Sequence, residues 1–297
     1  MRGLLDAIRQ QVPEAEMEED LRKAFQSFRD FERRFSRFLP ESELSRLNQG
    51  ETRVSREMFS LLERCLEYFH ETGGVFNPAV LPLLVREGYA ESYGHKDFGV
   101  RQEIDGELFP FDRLKLDRMT RCVRKPDAMR IDLGGIGKGY IVDRIAETLA
   151  LKYPHVLVDA GGDIRAIGAN VGDGYDTWVI EIEHPLGTHG DHPHFLMLSD
   201  MAVATSGTDR RQWHDQDRAY SHLIHPGKGR SETSDVVSVT VVSETAERAD
   251  VYAKTLLLLG SVDGGQVAEE KNIPTVFVLR SGEMRYHGNV ESFFWKG

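Results

Sequence analysis

The first part of the chain carries apolar residues at helical spacing. Phenylalanines recur at three- and four-residue steps among charged residues, which predicts an amphipathic helix over residues 14–38 that Pro40 ends. A short helix capped by Ser42 and a second amphipathic helix over residues 56–72 follow. We interpret the phenylalanine stripe of the first helix as its core-facing side. That stripe consists of Phe25, Phe28, Phe31, Phe35 and Phe38.

Alternating patterns and short apolar runs become frequent later in the chain. Residues 236–243, VVSVTVVS, form the clearest predicted strand. A Lys-Pro-Asp turn at 125–127 predicts a hairpin within residues 121–134. Gly260 ends the last predicted helix. The other predicted elements are helices at 140–151 and 245–259, and strands at 156–160, 164–168, 178–183, 195–207 (two strands), 275–280 and 284–288.

The order of these elements predicts the fold class. Strands often follow one another directly and the helices cluster elsewhere, which favours an α+β fold, mostly antiparallel sheet packed with helices. The 297 residues are enough for one large domain or two small ones. No fixed-period repeat is visible in the sequence.

Composition and charge narrow the classes of function. The hydrophobic content of 40% and the charged content of 29% are typical of a globular protein. The net charge is −11 and the sequence has no long basic cluster, so we expect no nucleic-acid partner. Two isolated cysteines indicate a reducing compartment. The acidic N-terminus resembles neither a signal peptide nor a membrane anchor, and we therefore expect a cytoplasmic protein.

Residues 131–143, IDLGGIGKGYIVD, are the strongest candidate for a phosphate site. They do not form a Walker A loop, because Gly139 rather than Ser or Thr follows Lys138, and their spacing is not that of a Rossmann fingerprint. The glycines would still let a ligand approach the backbone, and the following helix offers free N–H groups to an anion. The alternative is a plain glycine-rich turn before a helix.

Four other stretches carry candidate chemistry. Asp250 opens a helix turn, where a carboxylate either holds a hard cation or simply complements the helix dipole. SHLIHP at 221–226 offers a general base or satisfied histidines. The loop GTHGDHPH at 187–194 is either a metal loop or a solvated loop, and TSG at 205–207 is either a turn or an anion-binding nest.

Seven sequence blocks stand out by their order along the chain. In this order they resemble the FAD:protein FMN transferase (ApbE) family, from about residue 30 to about residue 280. The resemblance implies an ApbE-like fold and a single domain over residues 1–297. The blocks are FSRFLPESELSRLN, GGVFNPAV, DLGGIGKGYIVD, DAGGDIRAIG, VATSG, YSHLIHP and ADVYAKTLLLLG.

The resemblance also implies an activity. Members of this family bind FAD and, with Mg²⁺, break its pyrophosphate. FMN passes to a threonine hydroxyl of an acceptor flavoprotein, and AMP is released. Some members instead hydrolyse FAD to FMN and AMP. A non-catalytic FAD-binding protein is the third alternative. Phosphoryl transfer needs mainly positioning and charge neutralisation, for which the sequence offers candidates.

The site residues implied by the resemblance fall into three groups. His222 matches the proposed general base. The metal ligands are the Gly135 carbonyl and Asp250, with Thr255 as a candidate second side chain. The FAD contacts are Phe35, Val75, Phe76, Asn77, Asp132, Lys138, Leu223 and Ile224.

The chain departs from the family pattern at three positions. Asn77 stands where Asp is common, and His225 where Asp or Asn is common. Lys254 stands where a threonine metal ligand is frequent, four residues after Asp250 on the same helical face. A protonated lysine cannot bind Mg²⁺. Three alternatives follow for the second side-chain ligand of the metal. Thr255 provides it, water takes its place, or the Lys254 ammonium replaces part of the cation's charge.

Overall fold

The computed structural model describes residues 12–92, 94–95, 98–100, 102, 107–171, 176–187, 194–208, 212–215, 218–221, 223–228, 230–231 and 234–295. The α-helices in this part of the chain are α1 (Glu14–Phe35), α2 (Glu43–Asn48), α3 (Arg56–Glu71), α4 (Leu81–Arg86), α5 (Gly137–Ala150) and α6 (Ala246–Glu270). Short 3-10 helices lie at Pro78–Val80, Phe111–Arg113, Pro226–Lys228 and Val290–Phe293.

The strands form one large sheet and four two-stranded sheets. They are β1 (Lys115–Asp117), β2 (Cys122–Arg124), β3 (Val156–Asp159), β4 (Ile164–Ile167), β5 (Trp178–Ile182), β6 (His194–Leu198), β7 (Ala202–Gly207), β8 (Gln212–Asp215), β9 (Arg218–Ser221), β10 (Ile224–His225), β11 (Arg230–Ser231), β12 (Val236–Ser243), β13 (Thr275–Leu279) and β14 (Met284–His287).

The central sheet has the strand order β14-β13-β12-β7-β4-β3, and every neighbouring pair is antiparallel. Strand β12 lies in its middle, and seven of its eight residues are buried, which explains why valine predominates in it. The prediction of an α+β fold with mostly antiparallel sheet is confirmed.

Two apolar layers enclose the central sheet. On one face, α3 and α6 pack through a large cluster that includes Met58, Leu62, Tyr252 and Phe277. On the other face, the β5–β6 pair covers the sheet through a second cluster around Leu196. The described part of the chain thus covers both faces of the sheet with apolar side chains.

Helices α5 and α6 cross at very close range. A Cβ on Gly139 would lie 2.3 Å from the Ala246 carbonyl oxygen, so no other residue fits there. Asp143 of α5 accepts the N–H groups of Ala246 and Glu247, each at 2.8 Å, and so satisfies free donors at the start of α6. The crossing fixes the start of α5 beside the first turns of α6.

Helix α6 is longer than the sequence predicts. Gly260 interrupts it with φ +81° and ψ −179°, a conformation open essentially only to glycine. Helical structure then resumes and continues to Glu270. Asp235 accepts the Ser261 N–H at 3.1 Å and caps the second segment. The predicted break at Gly260 is confirmed, but the second helical segment, which Asp235 caps, was not predicted.

Two sequence-based expectations need correction. The hairpin turns at residues 118–121, upstream of the Lys-Pro-Asp turn, and pairs β1 with β2. Residues 125–131 lie outside the strands. The Phe25 side chain is 65% exposed, so the phenylalanine stripe faces the core from Phe28 onward but not at Phe25. Helix α1 itself ends at Phe35.

Within the described ranges, no helix has both the length and the apolar character needed to cross a membrane.

Candidate active site

The glycine-rich segment before α5 is held in place by residues far away in the sequence. The Asn48 side chain accepts the Ile131 N–H at 2.8 Å and donates to the Ile131 carbonyl at 2.9 Å. The Asp132 N–H donates to the Pro78 carbonyl at 2.8 Å. Asp132 then accepts the Gly134 N–H at 2.9 Å through Oδ1. The segment is thus fixed before the helix begins.

Asp132 forms a nearly buried ion pair with Arg37. The Arg37 Nε lies 2.7 Å from Asp132 Oδ2, and the two side chains are 5% and 16% exposed. The guanidinium lies over the rings of Phe38 and Tyr89, at 4.1 and 4.7 Å from their centroids. It also donates to the Tyr89 carbonyl at 2.6 Å. Arg37 therefore uses the planar, stacking character of its head group to orient Asp132.

A second acid–base cluster lies next to this pair. Asp163 follows the Gly161-Gly162 turn between β3 and β4, where both glycines have positive φ. Its Oδ1 lies 3.0 Å from Lys138 Nζ, and its side chain is only 1% exposed. Burial raises the pKa of Asp163, repulsion from Asp250 adds to the rise, and Lys138 and Lys254 oppose it.

Asp250 and Lys254 lie one turn apart on α6. Asp250 is buried, and its Oδ2 has no hydrogen-bond partner among the described residues. Lys254 Nζ donates to the Gly134 carbonyl at 3.1 Å. A Cβ on Gly135 would lie 2.8 Å from the same Nζ. The absent side chain of Gly135 is what leaves room for the ammonium.

Two neighbouring cavities open onto these charges. The larger has a volume of about 570 Å³ and is lined by Phe35, Asp132, Lys138 and Asp250, among others. The smaller, of about 150 Å³, has a more apolar lining. Lys254 lines both, together with Phe38, Asp132 and Gly134. The predicted FAD contacts in the smaller cavity are Val75, Phe76, Asn77, Asp132, Leu223 and Ile224.

The predicted FAD contacts thus come together, although two of them have structural partners as well. Phe35 is stacked on Phe31 with a ring distance of 4.4 Å and is 4% exposed, so little of it faces the cavity. Asn77 accepts the Ala79 N–H at 2.9 Å and donates to the Phe109 carbonyl at 3.0 Å.

One predicted site residue is not brought to the cavities, and another lies outside the described part of the chain. The Thr255 hydroxyl is buried and donates to the Val251 carbonyl at 2.8 Å, inside its own helix. Thr255 does not line either cavity. His222, the predicted general base, lies outside the described residues, as does most of the His-rich loop, residues 188–193.

Sequence reasoning missed two charged residues of the site. Arg37 sits in the stretch that follows the phenylalanine helix and carries no local signal for its ion pair with Asp132. Asp163 had a signal, because it directly follows two glycines at the end of a predicted strand. A carboxylate at such a turn is placed at the edge of the sheet, beside whatever the neighbouring loops hold.

The oxygen atoms around Lys254 are of the type that a hard cation prefers. Two buried carboxylate oxygens, Asp163 Oδ2 and Asp250 Oδ2, lack hydrogen-bond partners among the described residues, and the Gly134 carbonyl is close by. The ammonium of Lys254, however, already bonds that carbonyl. In the described part of the chain, no group of three His, Cys, Asp or Glu side chains is placed to bind a metal. As arranged, these residues do not fit Mg²⁺.

Comparison with known proteins identifies the family. The sequence matches the ApbE family over residues 7–277. The chain belongs to the ApbE family. A relative from Vibrio cholerae, named FAD:protein FMN transferase, is 30% identical over 256 residues, which cover 84% of this chain and 75% of the relative. One from Treponema pallidum with the same name is 29% identical and is covered to 73%.

Solved ApbE structures share the fold of this family member. The crystal structure of an ApbE protein from Thermotoga maritima superposes with a TM-score of 0.83 at 25% identity, covering 97% of this chain and 94% of the other. The flavin transferase ApbE from Vibrio cholerae gives a TM-score of 0.78 at 27% identity, with 95% and 93% covered. The predicted ApbE-like fold is confirmed.

Proposed function

We propose that this ApbE protein transfers FMN from FAD to a threonine of an acceptor protein. The observation that carries the proposal is the pair of adjoining cavities, one largely apolar and one charged, with Lys254 at their junction. FAD has the matching chemistry, since an apolar ring system is joined to an anionic pyrophosphate. The names of the relatives support flavin transfer.

The binding mode follows from the linings of the two cavities. The flavin ring would lie in the smaller cavity, against Val75, Phe76, Leu223 and Ile224. The pyrophosphate would lie at the junction, where Lys254 and the start of α5 meet. The N–H groups of a helix start and a lysine ammonium both favour a phosphate. The adenosine would extend into the larger cavity.

The reaction exchanges one phosphorus–oxygen bond for another. The threonine hydroxyl oxygen bonds to the phosphorus of the FMN half, and the bond from that phosphorus to the AMP oxygen breaks. The hydroxyl proton goes to a base, for which His222 is the candidate, and AMP leaves with the bonding electrons. Such a transfer depends on alignment and on stabilisation of negative charge, without a covalent protein intermediate.

The names of the relatives do not say whether the transfer depends on Mg²⁺. The resemblance predicts it, with Gly135, Asp250 and Thr255 as ligands. The Thr255 hydroxyl is bonded within its own helix, and the Lys254 ammonium lies against Gly135. We therefore assign no step of the transfer to a metal ion.

One set of four incubations tests the proposal. The protein is mixed with FAD, with and without a peptide that carries a flavinylation-type threonine, each in Mg²⁺ and in EDTA. Mass spectrometry should show the peptide heavier by one FMN and AMP in solution. Free FMN and AMP in all tubes would indicate a hydrolase. FAD that stays bound and intact with several acceptors would indicate a binding protein.

The assignment of the base is tested by His222→Ala. We expect this variant to bind FAD but to lose FMN transfer by about a hundredfold or more, because general-base contributions are of that size. The matched control is His70→Ala, an exposed histidine at the end of α3. Transfer at the wild-type rate in His222→Ala would remove His222 from this role.

A further inference from the structure

Lys254 lies where negative groups converge from three parts of the chain. The Gly134 carbonyl accepts a hydrogen bond from its ammonium, Asp250 lies one helical turn before it, and Asp163 is close enough to be influenced by its charge. The first belongs to the glycine-rich segment, the second to α6 and the third to the turn before β4. This convergence is the environment that a bound cation would need.

The two carboxylates can both be ionised only with positive charge nearby. Asp163 and Asp250 are 1% and 5% exposed as residues, and each has one oxygen without a hydrogen-bond partner among the described residues. Two buried carboxylates next to each other are unfavourable unless cations compensate them. Lys138 lies against Asp163 at 3.0 Å. Lys254 brings the second positive charge to the group.

We propose that the Lys254 ammonium is a built-in cation that takes the place of a divalent metal and binds the dinucleotide's pyrophosphate directly. An ammonium has three donors, and the Gly134 carbonyl uses one of them, which leaves donors for phosphate oxygens. Gly135 is part of this arrangement, because any side chain there would displace the ammonium.

The inference rests on the proposed function for its choice of dinucleotide, but the metal site can be tested without FAD. In Lys254→Thr, the Gly134 carbonyl and both carboxylates lose their ammonium partner and gain a hydroxyl. Mn²⁺ binding, measured by electron paramagnetic resonance in the absence of nucleotide, should tighten by about tenfold or more over the wild type. The control is Lys271→Thr, an exposed lysine at the end of α6, which should not change Mn²⁺ binding.

FAD binding provides the second measurement. The dissociation constant of wild-type protein, followed by flavin fluorescence, should be equal in EDTA and in Mg²⁺ within about twofold. Lys254→Thr should bind FAD about tenfold or more weakly in EDTA, because it loses a charge-assisted hydrogen bond, and should recover affinity in Mg²⁺. Lys254→Met keeps the stem of the side chain without its charge, and should be weak in both solutions.

The outcomes separate the two proposals. Tight Mn²⁺ binding by the wild type, or wild-type FAD affinity that appears only with Mg²⁺, would overturn the role of Lys254 and leave flavin transfer intact. Equal Mn²⁺ binding by wild type and Lys254→Thr would also overturn it. If the wild type binds no FAD in either solution, the proposed function fails, while the Mn²⁺ measurement still decides whether Lys254 occupies a cation site.

Discussion

Asp163 is the most enclosed carboxylate of the site, and Lys138 is the cation that lies directly against it. In Lys138→Met, the carboxylate stays buried while its partner disappears. We expect the free energy of unfolding to fall by about 1–3 kcal/mol, less than for a fully buried pair because the Lys138 side chain is 43% exposed. Urea denaturation at pH 7 measures the change.

A double variant serves as its control. Lys138→Met with Asp163→Asn removes both charges, so the combined loss should be smaller than the sum of the two single losses. Strict additivity would show that the ion pair contributes nothing to stability.

The titration of Asp143 makes the free energy of unfolding depend on pH. Burial raises its pKa to about 6, although the N–H groups of Glu247 and Ala246 pull it down. In the unfolded chain the pKa is about 3.9, so between these values the folded state binds more protons and loses stability as the pH rises. This contribution falls by about 2–3 kcal/mol at most between pH 4 and pH 6, and is constant above pH 7.

Comparison with Asp143→Asn isolates this group from all others that titrate. Asparagine keeps a side-chain oxygen for the start of α6 but does not titrate. The free energy of unfolding of the wild type minus that of the variant should decrease as the pH rises from 4 to 6. A difference that increases over this range would contradict the raised pKa.

At the scale of the elements, the crossing of α5 and α6 depends on one missing side chain. In Gly139→Ala, the added Cβ would lie 2.3 Å from the Ala246 carbonyl oxygen, and a backbone atom cannot turn away as a side chain can. We expect a loss of about 3 kcal/mol or more in unfolding free energy, at the upper end of what overpacking costs. Thermal and urea denaturation measure it.

Gly161→Ala is the informative comparison. A Cβ on Gly161 meets nothing within 4 Å, but its φ of +67° disfavours any side chain. The free energy of unfolding of Gly161→Ala should fall by about 1 kcal/mol, which is the conformational cost alone. Equal losses at the two positions would show that the crossing is not tightly packed.

Most elements could be predicted because their signals are local. The strand of β12 follows from its β-branched run, and the cap of α2 at Ser42 is observed, with the hydroxyl accepting the Ser45 N–H at 3.0 Å. Where prediction failed, a distant partner decided the outcome. Asp235 restarts α6 after Gly260, although 25 residues separate it from that glycine in the sequence.

At the scale of the whole molecule, the site is assembled from distant parts of the chain. The resemblance predicted Lys138 and Asp250 as site residues, and both line the larger cavity. The ion pair of Arg37 with Asp132 could not, because nothing in the local sequence around Arg37 indicates which distant carboxylate it meets. The sequence also identified Lys254 as a departure, but only the structure places its ammonium against Gly135.

Asn48 links the N-terminal helices to the glycine-rich segment across 83 residues of sequence. Asn48→Ala would leave the N–H and the carbonyl of Ile131 without their partner in a buried place. We expect about 2–4 kcal/mol lower stability and weaker FAD binding. Ser42→Ala, the loss of a helix cap near the same region, should cost about 1 kcal/mol and leave FAD binding unchanged. Unaltered FAD binding in Asn48→Ala would show that the segment holds its shape alone.

The contact at Gly139 also determines which parts of the site can move. Because α5 and α6 touch backbone to backbone there, neither can slide past the other without separating. We therefore expect the wall that carries Lys138, Asp250 and Lys254 to move as one unit. We expect any opening that admits a ligand to occur at the other lining, where the C-terminal part of α1 meets the cavity. Lys138, Asp250 and Lys254 would then keep their relative positions while that lining moves.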